Sequence, residues 1–435
     1  MTGHIDAAMP TAQSPPPAGG RTATGRIVLA SLVGTTIEFY DFYIYGTAVA
    51  LVIGRTFFPQ AAPSAQALNA FLTFGIAFLA RPIGSVLFGH FGDRVGRKST
   101  LVVSMLVMGL STLLIGVLPG YETAGALAPW LLCALRFGQG IGLGGEWGGA
   151  ALLAVENAPP RRRAWYGMFP QLGPPLGFLL ANGLFLALLL GMSETSFIGW
   201  GWRIPFLVSA VLVVIGLYLR VSIAETPEFL AAQAHREPVR LPLVEVLRQH
   251  AVPLLQGSLA IVVCYALFYI STVFALGYGT TTRHIPRSDF LALLCGAVVF
   301  MALATPVSAA LADRFGRRPV LIVGSLLAAI SGFAMAPMLG QGNNTSVWAF
   351  LSLELGLMGF VFAPMGALLP ELFPVRVRYT GASSAYNLGG IIGASLAPYL
   401  AQRLFDAGGL AWVGAYVTLA GLISAVAVLT MRETR

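Results

Sequence analysis

The sequence predicts an all-α membrane protein whose twelve transmembrane helices form two six-helix bundles. Three observations carry that prediction. Of the 435 residues, 56% are hydrophobic and only 10% are charged, and the mean hydropathy is +0.77. A water-soluble domain carries about 25% charged residues, so this chain has too little charge to cover a wetted surface. Apolar stretches of about 20 residues, the length that spans a bilayer, recur along the chain. The loops between them also repeat: Gly92-Asp93-Arg94-Val95-Gly96-Arg97-Lys98 returns in the second half as Ala312-Asp313-Arg314-Phe315-Gly316-Arg317-Arg318. Such a composition excludes a disordered chain, a collagen, a nucleic-acid binder and a disulfide scaffold. Cys133, Cys264 and Cys295 lie scattered in apolar runs and build no framework.

The elements follow in order. Residues 1–25, rich in Pro, Ala, Gly and Thr, read as a disordered cytoplasmic tail. That tail lacks the basic start and short apolar core of a cleaved signal peptide. Spans are expected at 26–50, 66–90, 99–118, 128–155, 164–190 and 203–222, which make an N-terminal bundle over 26–222. The polar stretch 223–250, with Glu225, Glu228, Arg236, Glu237, Arg240, Glu245 and Arg248, reads as a cytoplasmic central loop. Spans at 251–279, 289–311, 319–339, 347–370, 379–402 and 410–431 then make a C-terminal bundle over 251–435. With both termini in the cytoplasm, Arg94, Arg97, Lys98, Arg161, Arg162, Arg163, Arg314, Arg317, Arg318, Arg376 and Arg378 all face that side. Only Arg55, Arg203, Arg283, Arg287 and Arg403 face out. The excess of basic residues in cytoplasmic loops selects this orientation.

A second echo strengthens the repeat. Glu156 leads to Pro160, Arg161, Arg163 and Gly167, and Glu371 leads to Pro374, Arg376, Arg378 and Gly381. The two D-R-x-G-R-[KR] loops resemble the signature of the major facilitator superfamily, and Arg136-Phe137-Gly138-Gln139-Gly140 with Gly144-Gly145-Glu146 resembles its fourth-helix motif. Glu38-Phe39-Tyr40-Asp41-Phe42-Tyr43-Ile44-Tyr45-Gly46, Arg81-Pro82-Ile83-Gly84 and Glu225-Thr226-Pro227-Glu228-Phe229 narrow the resemblance to the metabolite:proton symporters. Members of that family carry citrate, 2-oxoglutarate, shikimate, proline or betaine. The resemblance implies the major facilitator fold and proton-coupled symport of a small carboxylated or zwitterionic metabolite by alternating access. It also implies a multi-pass place in the bacterial inner membrane. The alternative is proton-antiport efflux of a drug or metabolite. Gly173-Pro174-Pro175-Leu176-Gly177 partly resembles the antiporter motif, but Phe178 replaces its last glycine, and buried arginines favour an anionic cargo.

No P-loop is present, so no nucleotide partner is expected. The five histidines are scattered and suggest no metal site, and no nucleophile–base spacing suggests an enzyme. No cofactor is expected beyond the proton as coupling ion. The expected partners are the small-molecule metabolite and the lipid bilayer.

Candidate residues follow from charge placed at depth. Arg26 marks one end of the first span, so Glu38 lies about 18 Å and Asp41 about 22 Å along it, near the middle of a hydrocarbon core about 30 Å thick. A charge there costs several kcal/mol unless paired or watered. Three residues apart, the two carboxyls share a face and repel, which a proton on one relieves. Glu146, among glycines of the fourth span, and Glu354 in the tenth are further coupling candidates. Arg81 and Arg136 cannot shed their charge and need an anion, either an internal carboxylate or a substrate's. Asp41 and Arg81 are read as one possible switch. Gln139, Tyr45, Tyr265 and Tyr269 join the arginines as candidates for orienting a polar substrate. The glycines recurring from Gly138 to Gly149 are read mainly as a helix-packing face. The loops around Gly89, Asp93, Arg94, Gly96 and Arg97, and around Asp313, Arg314, Gly316 and Arg317, are read as gate latches. In that reading the Asp sits against a neighbouring helix N-terminus or an arginine, and the Gly permits a tight turn. Ala309 stands where the first half has Gly89.

Overall fold

The computed structural model describes residues 20–221, 242–340, 343–395 and 397–433. The tail before residue 20 and most of the expected central loop lie outside that description, as do the side chains of Asp93, Arg97, Arg26 and Arg220.

Among the described residues, twelve long helical rods follow one another. The first, α1, joins Gly20–Ala48, a π-helical turn Val49–Ile53 and Gly54–Phe57. It is followed by α2 (Pro63–Arg94), α3 (Arg97–Val117), α4 (Leu127–Glu156), α5 (Arg163–Gly191) and α6 (Gly201–Leu219). The second set is α7 (Ala251–Thr281, with a π-turn at Ile270–Phe274), α8 (Arg287–Phe315), α9 (Arg317–Leu339) and α10 (Asn344–Glu371). It closes with α11, made of Arg378–Gly390, a π-turn Ile391–Ser395 and Ala397–Gly408, and with α12 (Leu410–Leu429). No strand occurs among the described residues.

Among the described residues, nine rods are long and apolar enough to cross a bilayer by themselves. A tenth joins them if the two parts of α1, which meet at 42°, count as one span. Two rods stand outside that count. Rod α4 carries Arg136, Glu146 and Glu156, and α11 carries Thr380, Ser383, Ser384 and Asn387, all buried. Their polar groups face protein instead of lipid, as groups at that depth must. The rods also run past the apolar stretches at both ends: α2 covers Pro63–Arg94 where 66–90 was expected, and α1 starts at Gly20 instead of residue 26.

Without a hydrophobic drive between helices in lipid, packing depends on close approach. Rod α4 lies against α2 and α3, and α1 against α5; in the second half α8 lies against α10 and α9 against α12. The Gly138–Gly149 stripe serves this contact. A Cβ on Gly144 would meet the carbonyl of Arg81 on α2 well inside van der Waals distance, and one on Gly142 would meet Met108 of α3 at 2.8 Å. Between the halves, α2 meets α11, α4 meets α11, and α5 meets both α8 and α10.

The α2–α3, α4–α5, α8–α9 and α10–α11 loops gather at one end of the bundle with most of the described arginines. This end is called the basic face. Both termini of the described chain are there: Ala30 of α1 packs on Leu101 and Leu153 near the start of α3 and the end of α4, and Glu433 bonds to the start of α9. Gly96 (φ 129°) and Gly316 (φ 103°) make the turns between α2 and α3 and between α8 and α9 in the left-handed region that glycine tolerates.

Candidate functional site

Between the halves, a cavity of about 250 Å³ runs from mid-span to the end opposite the basic face. Its deep wall is Phe42 and Tyr43 of α1, Phe74 of α2, Phe178 of α5 and Phe268 and Tyr269 of α7, and its mouth is Thr280, Thr281 and Arg287. Polar groups are few: the Thr47 hydroxyl donates to Asn182 Oδ1 across α1 and α5 at 2.7 Å, and Thr272 sits on the α7 π-turn. Toward the basic face lies a small chamber of about 20 Å³ lined by Phe39, Tyr43, Cys264, Tyr265, Tyr269 and Tyr386. Tyr43, Phe268 and Tyr269 belong to both walls, and the Tyr43 and Phe268 rings stack at 5.2 Å across the boundary between halves, forming a partition.

Arg81 lies behind that partition. It is 3% exposed, and its guanidinium is held between the Phe42 and Phe78 rings, 4.5 Å from each centroid. Neither Nε nor Nη2 has a hydrogen-bond partner, and no carboxylate lies within 4 Å of it among the described residues. The hydroxyls within its electrostatic reach are those of Tyr43, Tyr265, Tyr269 and Tyr386. An always-charged group buried among ring faces and hydroxyls is short of an anion.

Arg136 is placed differently. Its Nε and Nη2 donate to the Thr73 and Phe74 carbonyls at 3.4 and 3.2 Å, its Nη1 donates to Gln139 Oε1, and its guanidinium lies 3.7 Å over the Tyr45 ring. Gln139 in turn donates to the Asp41 carbonyl at 3.0 Å and to Thr112 at 2.8 Å, and Tyr45 shares a hydrogen bond with Thr73 at 2.5 Å. Arg136, Gln139 and Tyr45 thus form one satisfied knot inside the first bundle, and none of them lines a described cavity. Tyr269 lines both cavities. Tyr265 lines the small chamber and donates to the Tyr386 carbonyl at 3.2 Å.

The expected carboxyl pair divides. Asp41 is fully buried, and its polar neighbours are the Ser209 and Thr112 hydroxyls and Glu146, inside the first bundle. Neither Asp41 oxygen has a well-formed hydrogen bond, although those hydroxyls lie beside it. Glu38 lies instead on the side of Tyr43 and Tyr386. Asp41 and Arg81 make no ion pair, so the expected switch between them is not formed in this conformation. Glu354 is 1% exposed in the second bundle beside Ser331, away from both cavities.

The basic face is closed. Both Asp313 carboxylate oxygens accept backbone N–H groups at the start of α5, from Ala164 and from Trp165, each at 2.9 Å. Anions are favoured at helix N-termini. At the corresponding place in the first half, Gly89 and Gly92 lie against Thr380 and Tyr379 at the start of α11; the Asp93 and Arg97 side chains lie outside the described residues. Arg94 meets His90 at 3.0 Å, Arg314 lies over Phe315, and Arg317 pairs with Glu371 at 3.0 Å. Ala309 packs on Met168 of α5 and Ala363 of α10. Further contacts across the halves are Tyr379 to the Gly145 carbonyl at 2.5 Å, Asn387 to the Gly144 carbonyl at 3.0 Å, Gln171 to the Phe362 carbonyl at 2.8 Å, and Glu156 with Arg378 at 3.3 Å. Asn387, Tyr386 and Gln171 carry no motif and were not anticipated. Nor was Glu433, whose carboxylate accepts the N–H groups of Arg317 and Arg318.

Comparison with known proteins agrees with this architecture. Residues 27–250 match the family described as Sugar (and other) transporter, and residues 281–435 match the Major Facilitator Superfamily. The chain is 52% identical over 415 residues to the inner membrane metabolite transport protein YhjE of Escherichia coli, covering 94% of each chain. It is 40% identical to the shikimate transporter of the same organism (94% of this chain, 95% of that one) and 31% identical to its proline/betaine transporter (94% and 83%). Among solved structures it superposes on the proton:xylose symporter XylE bound to 6-bromo-6-deoxy-D-glucose with a TM-score of 0.78. That match has 18% identity and covers 96% and 97% of the two chains, and it shows the fold. The chain belongs to the major facilitator superfamily and is a membrane transporter, not an enzyme.

Proposed function

We propose that this member of the major facilitator superfamily performs proton-coupled symport of a small carboxylated or zwitterionic metabolite. The single observation that carries this reading is Arg81: a buried guanidinium with two unpartnered nitrogens behind the aromatic floor of the central cavity. A substrate carboxylate is the anion that would complete it, through paired hydrogen bonds. Relatives named as shikimate and proline/betaine transporters support a cargo bearing a carboxylate. Phe178, one ring of the cavity wall, stands edge-on to Tyr43 at 5.4 Å and supports symport over the antiport alternative, whose motif has glycine at that place.

The cavity opens away from the basic face, and the basic face is latched. In our reading this is the outward-facing state, with both termini in the cytoplasm of a bacterial cell. Alternating access then means breaking the Asp313, Tyr379, Asn387 and Glu156 contacts while the opposite ends close. Asp41 is the proposed proton carrier. It is a group that a proton can neutralise, set where an unpaired charge is costly, with Glu146 beside it. Glu38 and Glu354 are the reserve candidates. The deciding experiment uses purified protein in liposomes, with labelled shikimate, citrate, 2-oxoglutarate, proline and betaine offered with and without an inward proton gradient. Accumulation of at least one carboxylate only with the gradient is expected. Gradient-independent equilibration of all of them would overturn symport.

A further inference from the structure

A second recess, of about 240 Å³, adjoins the mouth of the central cavity. Arg55 at the end of α1, Met192 after α5, Glu194 and Phe197 of the short helix Glu194–Gly199, and Arg287 at the start of α8 line it. Leu51 and Arg287 belong to the walls of both recesses, so the two meet at these side chains. The short helix is fixed over α5: Phe197 is buried against Phe185, with centroids 6.3 Å apart, and Ser193 caps the helix by accepting the Ser196 N–H. The recess is therefore built into the fold.

Its chemistry points to an anion. Arg55 and Arg287 have no carboxylate within 4 Å among the described residues, and Glu194 is the only acidic residue in the lining. Two guanidinium groups against one carboxylate leave a net positive recess, and its walls of Leu51, Leu189, Met192, Phe197 and Ile198 are apolar. A cleft of one sign with low-dielectric walls concentrates ions of the other sign. Beyond it, Arg287 is the one charged residue lining the central cavity among the described residues, and the next described cation inward is Arg81 behind Phe42. An anion bound for Arg81 leaves the last surface charge at Arg287. We propose that this recess is a capture site for small carboxylates, held by Arg55 and Arg287, from which they pass to the central cavity. The proposal rests on the reading that the cargo bears a carboxylate.

The test uses the full chain in nanodiscs with Ile198→Cys, the parent protein giving the background from native cysteines. Labelling by anionic methanethiosulfonate ethylsulfonate is compared with labelling by its cationic trimethylammonium counterpart. The anionic-to-cationic rate ratio should fall about tenfold when Arg55→Gln and Arg287→Gln are added, and it should fall with salt in the unaltered recess. Shikimate and citrate should slow labelling of Ile198→Cys even with Arg81→Lys in place, and this protection should vanish with the two glutamines; xylose should not protect. A ratio indifferent to both arginines, or equal protection by xylose, overturns the proposal. Protection that persists while no carboxylate is accumulated in liposomes leaves the capture site standing and removes the transport reading instead.

Discussion

Trp147 and Tyr386 lie face to face across the boundary between the halves, ring centroids 4.0 Å apart and planes within 8° of parallel. The indole N–H of Trp147 donates to Gln171, whose amide reaches the Phe362 carbonyl of α10, so the stack belongs to a chain of contacts joining α4, α5, α10 and α11. Aromatic pairs contribute about 0.5–1.5 kcal/mol beyond burial. Trp147→Leu should therefore shift the conformational equilibrium toward opening at the basic face, roughly two- to tenfold. Alkylation of Ser383→Cys, a residue packed on Gly148 at this boundary, should rise by that factor. An unchanged alkylation rate would show that the stack does not hold the gate.

Asp313 gives a sharper latch. Asp313→Asn keeps the shape but loses the charge from two hydrogen bonds at the α5 N-terminus, bonds of a kind that contribute about 1.5–3 kcal/mol. The substituted protein should insert and fold, open the basic face more often, and slow transport severalfold. Full transport by well-expressed Asp313→Asn would reduce the loop to an orientation signal.

Arg81 and Asp41 should separate substrate binding from coupling. Arg81→Gln should raise the apparent KM for a carboxylate substrate at least tenfold. Asp41→Asn should still exchange substrate between the two sides but fail to concentrate it against a gradient, since no proton can be released. Wild-type accumulation by Asp41→Asn would move the proton site to Glu38, Glu146 or Glu354.

Arg136 should behave as scaffold. Arg136→Gln removes the donor to the buried Gln139 Oε1 and the second bonds to the Thr73 and Phe74 carbonyls, at about 1–3 kcal/mol for the buried amide oxygen left unsatisfied. Thermal unfolding of the purified protein should occur several degrees lower. Arg81→Gln, which removes no hydrogen bond in this conformation, should leave the midpoint nearly unchanged. Equal shifts in the two would erase the distinction between scaffold and site.

Orientation is tested by labelling. Arg161→Cys and Arg314→Cys, both exposed on the basic face, should react with a membrane-impermeant maleimide only in inside-out vesicles. Glu194→Cys should react only in right-side-out ones.

The long apolar helices were legible because bilayer thickness fixes an apolar length. Rod ends were less so, since α2 and α10 continue into polar turns that hydropathy does not register. The Glu38–Asp41 pair shows the limit of helical spacing. Three residues leave the side chains about 60° apart on the helix, enough for Asp41 to face Ser209 and Thr112 while Glu38 faces the tyrosines. The role of Arg136 was illegible because its partners are backbone carbonyls of another rod, and any residue supplies a carbonyl. Glu433 was missed for a similar reason: a carboxylate near the chain end has no motif until α9 is seen to start beside it.

The π-turns give the chain an unequal tolerance of length change that composition does not show. A π-turn holds one residue more than the α-helical pitch allows. Each residue in an α-helix advances the side chains by about 100°. Removing one residue from Val49–Ile53 would let α1 close as an ordinary helix with its two ends still in phase, whereas adding one would turn Arg55 away from Phe42 and Tyr43 by about that angle. With the addition the outer recess would lose Arg55 while the cavity floor stayed intact. The same holds at Ile270–Phe274, where Thr272 and Val273 line the cavity. One-residue deletions in these turns should therefore be milder than one-residue insertions, because the turn already stores a spare residue between the inner and outer threads of the helix.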